Sequence, residues 1–154
     1  MFEKILVPLD GSEHSIQALE KAVQIAKKFA AKITLIHVYS PSPPTFAYPV
    51  SMYDLPYETP LPPEVFSKLD EVARGRGASI LADGEKRAKA ERVQVEKLLE
   101  EGHAVEEILR TAKEGKFNLI VIGTRGLSTI KEIFLGSVSH GVIVHAACPV
   151  LIVR

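Results

Sequence analysis

The feature that most constrains this chain is the regular alternation of short apolar runs with longer segments of helical periodicity. Ile5, Leu6 and Val7 form an uninterrupted apolar centre in the first run, and residues 119–122 form another. Such runs are typical of strands that are buried on both faces, as in a parallel sheet. The pattern predicts five strands, at residues 2–9, 32–39, 93–100, 119–122 and 150–153.

The segments between these runs carry apolar residues three and four positions apart, which predicts amphipathic helices. Ser12 has the residue type of a helix N-cap, with Glu13 in the favoured first turn. The predicted helices span residues 12–30, 64–90 and 103–114. A last one carries Val138, Val142, Ile143 and Ala146, and Pro149 ends its helical character.

The second predicted helix is weakened by three glycines, at positions 75, 77 and 84. Its small and apolar residues nevertheless share one side at helical spacing. They are Ala73, Gly77, Ile80, Leu81, Gly84 and Ala88. One interpretation is a small-residue face packed closely on the sheet, and the other is a break near Gly75. We favour one helix, with room for a kink near Gly75.

The order βαβαβαβαβ predicts an α/β fold, a doubly wound, Rossmann-like open parallel sheet with helices on both faces and right-handed crossovers. The mixed polarity of the strand at 93–100 suits a sheet edge. In such sheets a ligand binds beyond the carboxyl ends of the strands, where the winding direction reverses. Asp10 and Gly123 follow the first and fourth strands, so we expect them to frame that crevice.

Residues 118–139 predict a strand, a Gly-rich turn, a short helix and a second turn that opens another helix. Gly123 and Gly126 let the backbone approach a ligand closely, and the free N–H groups of helix N-termini suit phosphate. Gly136-Ser137 repeats this arrangement and adds a hydroxyl. We interpret the stretch as a nucleotide-phosphate cradle. Arg125 could reach a phosphate there, although a solvated surface position suits it equally.

Composition excludes several classes of function. The 154 residues suit one domain, at 1–154, and the 19 basic and 19 acidic residues leave no net charge for bulk binding of nucleic acid or anionic lipid. No apolar run approaches the roughly 20 residues that span a bilayer. The start of the chain resembles no leader segment, so we expect a cytoplasmic protein.

Three further side chains have simple structural interpretations. Cys148, the only cysteine, lies beside an apolar run and suits a buried small hydrophobe better than a reactive thiol. His37 suits a core histidine with a satisfied ring. Asp10 could cap the turn before the first helix. The other histidines show no metal-ligand spacing, and Ser137 has no His-Asp partner placed by a motif.

The segment at residues 40–63 differs from the rest because it holds eight of the ten prolines, mixed with three tyrosines. Proline disfavours helix and central strand, so we expect a long irregular connection. A lid or partner surface and a mobile loop are equally open interpretations.

These motifs together resemble those of the universal stress protein family. Gly123-x2-Gly126-x9-Gly136-Ser137 is similar to the signature of its ATP-binding branch. ILVPLDGSEHSIQAL, IHVYSP, GHAVEEIL and CPVLIV resemble further stretches of the family, so the resemblance covers nearly the whole chain.

The resemblance implies strand order 3-2-1-4-5, with ATP between the first and fourth strands. It implies that Asp10 contacts the ribose, that Pro8 shapes the wall and that the Val38 backbone bonds the adenine. The residues it implies around ribose and phosphates are Ile122, Gly123, Gly126, Gly136, Ser137, Val138 and Ser139, joined by Arg125 from its place in the turn. Mg²⁺ or Mn²⁺ would bridge phosphate oxygens.

The resemblance also implies a homodimer, formed by antiparallel pairing of the fifth strands at residues 150–153. This fits the physical expectation, because VLIV would otherwise be an exposed apolar edge. The downstream protein partner is not identified by the sequence.

Three functions remain open from the sequence. The favoured one is an ATP-binding stress-response module that changes its partner surface. The alternative is a slow ATPase or nucleotide transferase, although no Walker-type motif occurs. A phosphoacceptor or flavin domain is less favoured, because the first strand ends in the single acid Asp10.

We expect Gly123→Val or Gly136→Val to abolish ATP binding while leaving the fold.

Overall fold

The computed structural model describes residues 1–40, 63–124 and 135–154. In chain order the elements are β1 Lys4–Pro8, α1 Glu13–Phe29, β2 Lys32–Tyr39, α2 Pro63–Ala90, β3 Val95–Glu101, α3 Ala104–Glu114, β4 Leu119–Gly123, α4 Ser137–His145 and β5 Val150–Val153. The strands form a parallel sheet in the order β3-β2-β1-β4-β5. The predicted fold class and strand order are confirmed, including the position of β3 at an edge.

Helices cover both faces of the sheet, which divides the core in two. Side chains of successive strand residues point to opposite faces. Ile5 and Val7 therefore pack in the cluster on the side of α1 and α2, while Leu6 packs with Ile108 of α3 and Val142 of α4. The uninterrupted run in β1 serves both clusters, which is the physical reason for its lack of alternation.

The predicted third strand began too early. Val93 is buried, but its N–H donates to the Ala88 carbonyl and closes the turn after α2. Arg92 beside it has a positive φ of 58°, which a strand does not allow. Val93 thus contributes to the core from a turn, and the strand begins at Val95.

The helix α2 is unbroken at Gly75 and packs through a small-residue face, as we favoured. A Cβ built on Gly77 would lie 2.6 Å from His37 Cδ2, and one on Gly84 would lie 2.6 Å from Leu9 Cδ1. Gly75 is exposed, with nothing within 4 Å of its Cβ position. Gly77 and Gly84 therefore allow close approach to the sheet, whereas Gly75 has no such role.

Several smaller predictions can be compared with the structure. Ser12 caps α1 by accepting a hydrogen bond from the Ser15 N–H at 3.2 Å. Cys148 is half-buried against the α3–α4 core, and burial raises the pKa of its thiol. No helix within the described ranges is long and apolar enough to cross a membrane. The connection at 41–62 and the predicted short helix after Gly126 lie outside the described residues.

Candidate functional site

A crevice of about 570 Å³, open to solvent, lies at the carboxyl ends of β1 and β4. These strands are neighbours in the sheet, and the chain winds outward from them in both directions. The crevice is therefore at the switch point where α/β sheets bind ligands.

Eight of the eleven predicted site residues line this crevice. They are Pro8, Asp10, Val38, Ile122, Gly123, Gly136, Val138 and Ser139. Ser137 lines the adjoining groove, which shares Val38, Ala104 and Val138 with the crevice. Arg125 and Gly126 lie outside the described residues.

Four lining residues were not among the predicted ones. They are Leu9, Ile36, Ala104 and Ile108. Ile108 also belongs to the core cluster of α3 and α4, and helical spacing does not distinguish a residue that covers core from one that lines a cavity. Ile36 lies two positions before Val38 and so shares its face of β2, a signal that the sequence did contain.

The walls are mainly aliphatic, and Asp10 is the carboxylate among the described lining residues. Asp10 is half-buried, and its Oδ1 accepts a hydrogen bond from the Ser12 N–H at 2.9 Å. This bond fixes the turn between β1 and α1, as the capping interpretation predicted. A carboxylate has capacity for further donors on its second oxygen, so capping and ligand binding are compatible roles.

The first turn of α4 provides the polar side of the crevice. Its N-cap is Gly136, which has no side chain to cap the helix, and its first turn holds no acidic residue. The Gly136 N–H donates to the Thr124 carbonyl at 2.7 Å and so anchors the helix start to the end of β4. The N–H groups at a helix start lack intrahelical acceptors, and together with the helix dipole they favour an anion.

Ser137 and Ser139 differ in their surroundings, although the resemblance implies that both lie beside the ribose and phosphates. The Ser139 hydroxyl is buried and donates to the Gly123 carbonyl at 2.6 Å. Ser137 is exposed at the start of α4. The hydrogen bond donated by the Ser139 hydroxyl thus joins α4 to β4, whereas Ser137 is open to solvent.

The expectation that Gly123→Val would leave the fold intact is wrong. A Cβ built on Gly123 would lie 2.7 Å from both the carbonyl carbon and the carbonyl oxygen of His14. The hydrogen of Gly123 therefore points at the backbone of α1. A larger residue here must displace that helix before any ligand is considered.

No group of three or more His, Cys, Asp or Glu side chains that could hold a metal ion occurs within residues 1–40, 63–124 and 135–154.

Comparisons with known proteins agree with this architecture. The model of the universal stress protein family matches residues 1–154. The chain is 38% identical over 154 residues to universal stress protein YxiE of Bacillus subtilis (strain 168), covering 100% of both proteins. It superimposes on universal stress protein UspA from Lactobacillus plantarum with a TM-score of 0.82, at 24% identity, covering 99% of this chain and 98% of that one. A universal stress protein solved in complex with cAMP gives a TM-score of 0.69 at 29% identity, covering 99% of this chain and 97% of that one.

Proposed function

This chain belongs to the universal stress protein family, and on that premise we propose that its crevice binds ATP. We propose further that it acts as a homodimeric, nucleotide-dependent regulatory module in the cytoplasm, built from one domain. The observation that carries the proposal is that Asp10 and the uncapped first turn of α4 line one crevice with aliphatic walls. The related protein solved with cAMP supports an adenine nucleotide as the ligand class.

The chemistry of the crevice suggests how ATP would lie in it. The aliphatic side chains of Ile36 and Ile122 suit the faces of adenine, and the Val38 backbone could bond its edge. The Asp10 carboxylate suits a ribose hydroxyl, which would donate to it. The N–H groups of Ser137 and Val138, with the Ser137 hydroxyl, suit the phosphates.

Magnesium or manganese would be held mainly by the phosphates. Both ions are hard cations that prefer oxygen ligands. Arg125 could add positive charge beside the phosphates, since it belongs to the Gly-rich turn that follows β4.

Among the described residues β5 is the last strand of the sheet, and its outer edge supports the proposed homodimer. The carbonyls of Pro149 and Val153 accept bonds from the N–H groups of Ile120 and Thr124, at 3.0 and 2.8 Å. Because backbone groups alternate sides along a strand, those of Val150 and Ile152 point away from β4. Apolar side chains of β5 and of α4, which contacts β5, are also exposed, at 40% for Ile143, 58% for Val144 and 37% for Leu151. A second copy of β5, antiparallel across a two-fold axis, would bond these groups and shield this surface.

The first experiment is to denature the purified protein and chromatograph the small molecules that it releases. Intact ATP supports the binding module. ADP or AMP favours the slow ATPase, and a time course with fresh Mg-ATP then separates turnover from selective binding of those nucleotides.

A matched pair of variants tests the site itself by isothermal titration calorimetry with Mg-ATP. Asp10→Asn keeps an oxygen that can accept from the Ser12 N–H but removes the charge. Glu13→Gln removes an exposed charge three residues away. A hydrogen bond to a charged group contributes about 1.5–3 kcal/mol, so we expect Asp10→Asn to weaken ATP binding by roughly 10- to 150-fold. Equal affinities for Asp10→Asn and Glu13→Gln would contradict the assignment.

A further inference from the structure

His37 lies beside the crevice in sequence but on the opposite face of the sheet. Its neighbours Ile36 and Val38 line the crevice, and alternation along β2 directs the His37 side chain towards α2. The close approach of Gly77 to His37 Cδ2 agrees with this direction. The imidazole therefore cannot be part of the crevice wall, and its role must be indirect.

The His37 ring contacts the backbone immediately before Asp10. Its Nδ1 lies 2.7 Å from the Leu9 carbonyl oxygen. A carbonyl oxygen only accepts, so Nδ1 carries the proton and donates. The Leu9 N–H in turn donates to the Ile36 carbonyl at 2.8 Å. Leu9 lies beyond the last residue of β1. Residues of β2 nevertheless bond both its N–H and its carbonyl.

The helix α2 limits where the His37 ring can move. A Cβ on Gly77 would lie 2.6 Å from both His37 Cδ2 and Leu99 Cδ1. Only glycine leaves space for the ring between α2 and the sheet at this position. The ring is thereby held in the orientation that presents Nδ1 to Leu9.

From this geometry we propose that His37 is a positioning residue for the nucleotide site. By holding the Leu9 carbonyl, His37 fixes the peptide group that joins Leu9 to Asp10. The Ser12 N–H, which follows Asp10 in the chain, bonds the Asp10 carboxylate. The Asp10 carboxylate is thus oriented towards the ribose by a side chain that never touches the ligand. This inference rests on the proposed function, because it assigns Asp10 to the ribose.

The test compares His37→Leu, which removes the donor, with His37→Asn, whose amide nitrogen can occupy the place of Nδ1. The readout is the ratio of the affinities for ATP and 2′,3′-dideoxy-ATP, which depends on the ribose contact and not on overall stability. We expect His37→Leu to lower this ratio by about fivefold or more, the size of one lost hydrogen bond, and His37→Asn to restore it. In the Asp10→Asn background, His37→Leu should leave the ratio unchanged, because the two residues act in series.

Gly77→Ala provides a second route, in case His37→Leu does not fold. It should displace the ring and lower the same ratio, whereas Gly75→Ala on the same helix should not, since its Cβ has open space. An unchanged ratio in both His37→Leu and Gly77→Ala would overturn the proposal while leaving ATP binding established.

A ligand-free measurement separates this proposal from the proposed function. In ¹H–¹⁵N spectra without nucleotide, His37→Leu should shift the amide resonances of Asp10 and Ser12, and His37→Asn should return them towards wild type. If wild type binds no ATP and these shifts occur, the proposed function fails and the orientation of Asp10 by His37 stands. If the shifts are absent, His37 does not position Asp10.

Discussion

Gly123 and His14 are packed so closely that a Cβ on Gly123 would lie 2.7 Å from two backbone atoms of His14. This contact seats the first turn of α1 against the carboxyl end of β4, directly beside the crevice. Among the described glycines, Gly11 and Gly102 have a positive φ and Gly123 does not. The requirement for glycine is therefore steric and comes from the fold.

Gly123→Ala should destabilise the protein by about 1–3 kcal/mol, the usual cost of overpacking. A urea titration followed by circular dichroism measures the loss. Gly75→Ala is the matched control and should gain roughly 0.5–1 kcal/mol from helix propensity, because no atom lies within 4 Å of its Cβ. An unchanged urea midpoint for Gly123→Ala would mean that α1 moves aside without cost.

The serines of α4 allow stability and ligand binding to be separated. Ser139→Ala removes the buried bond to the Gly123 carbonyl and should cost about 1–3 kcal/mol of unfolding free energy. Ser137→Ala should change stability by less than about 0.5 kcal/mol, because Ser137 is exposed. It should nevertheless weaken ATP binding in calorimetry. The reverse assignment of these effects would contradict the roles given to the two hydroxyls.

A pH-dependent contribution to stability is expected from Glu85, which joins α2 to β3. Its carboxylate pairs with Lys89 at 2.8 Å and with Lys97 at 2.6 Å. Hydrogen bonds from Lys89 and then Lys97 lower the pKa of Glu85 below its ordinary value. The folded state therefore binds fewer protons than the unfolded state between these two pKa values, and stability rises with pH across that window.

The advantage of wild type over Glu85→Gln should be full above the ordinary glutamate pKa and should shrink as pH falls through the folded value. Urea midpoints in a series from about pH 7 to about pH 3.5 measure it. Glu20→Gln, at an exposed position of α1, serves as the control. A difference between wild type and Glu85→Gln that stays constant over this range would exclude the linkage.

The proposed dimer edge can be tested without disturbing the sheet within one chain. Val150→Pro removes an N–H that points away from β4, and proline is tolerated at such edge positions. We expect it to give monomers in analytical ultracentrifugation. Val150→Ala loses more side-chain volume but keeps the N–H, so it should remain dimeric. A dimer in both variants, or a monomeric wild type, would refute pairing through β5.

Much of the fold was predictable because the determining signals are local. The uninterrupted run at Ile5–Val7 indicated a strand buried on both faces, and the polar third strand indicated an edge. The start of β3 was not predictable. Val93 has a side chain that favours strands, but its backbone N–H is used by the turn after α2. Burial alone does not determine whether a residue is in a strand or in a turn.

The candidate site was predictable as a set of chain positions but not as a set of contacts. The glycine spacing and the topology pointed to one crevice, and the structure brings Asp10, Gly136 and Val138 together there. The packing of Gly123 on His14, the bond from Ser139 to Gly123 and the bond from His37 to Leu9 join distant parts of the chain. Such contacts depend on how the elements pack, which one sequence does not specify.

The measurement that tests the central claim most directly is a titration of ¹⁵N-labelled protein with Mg-ATP, followed in ¹H–¹⁵N spectra. We predict that the largest saturable shifts occur at the amides of Val38, Gly123, Ser137 and Val138, and that those of Lys27 and Glu91, in a groove away from the crevice, stay unchanged. Shifts centred on Lys27 and Glu91, or no shifts at millimolar Mg-ATP, would contradict the claim that this crevice binds ATP.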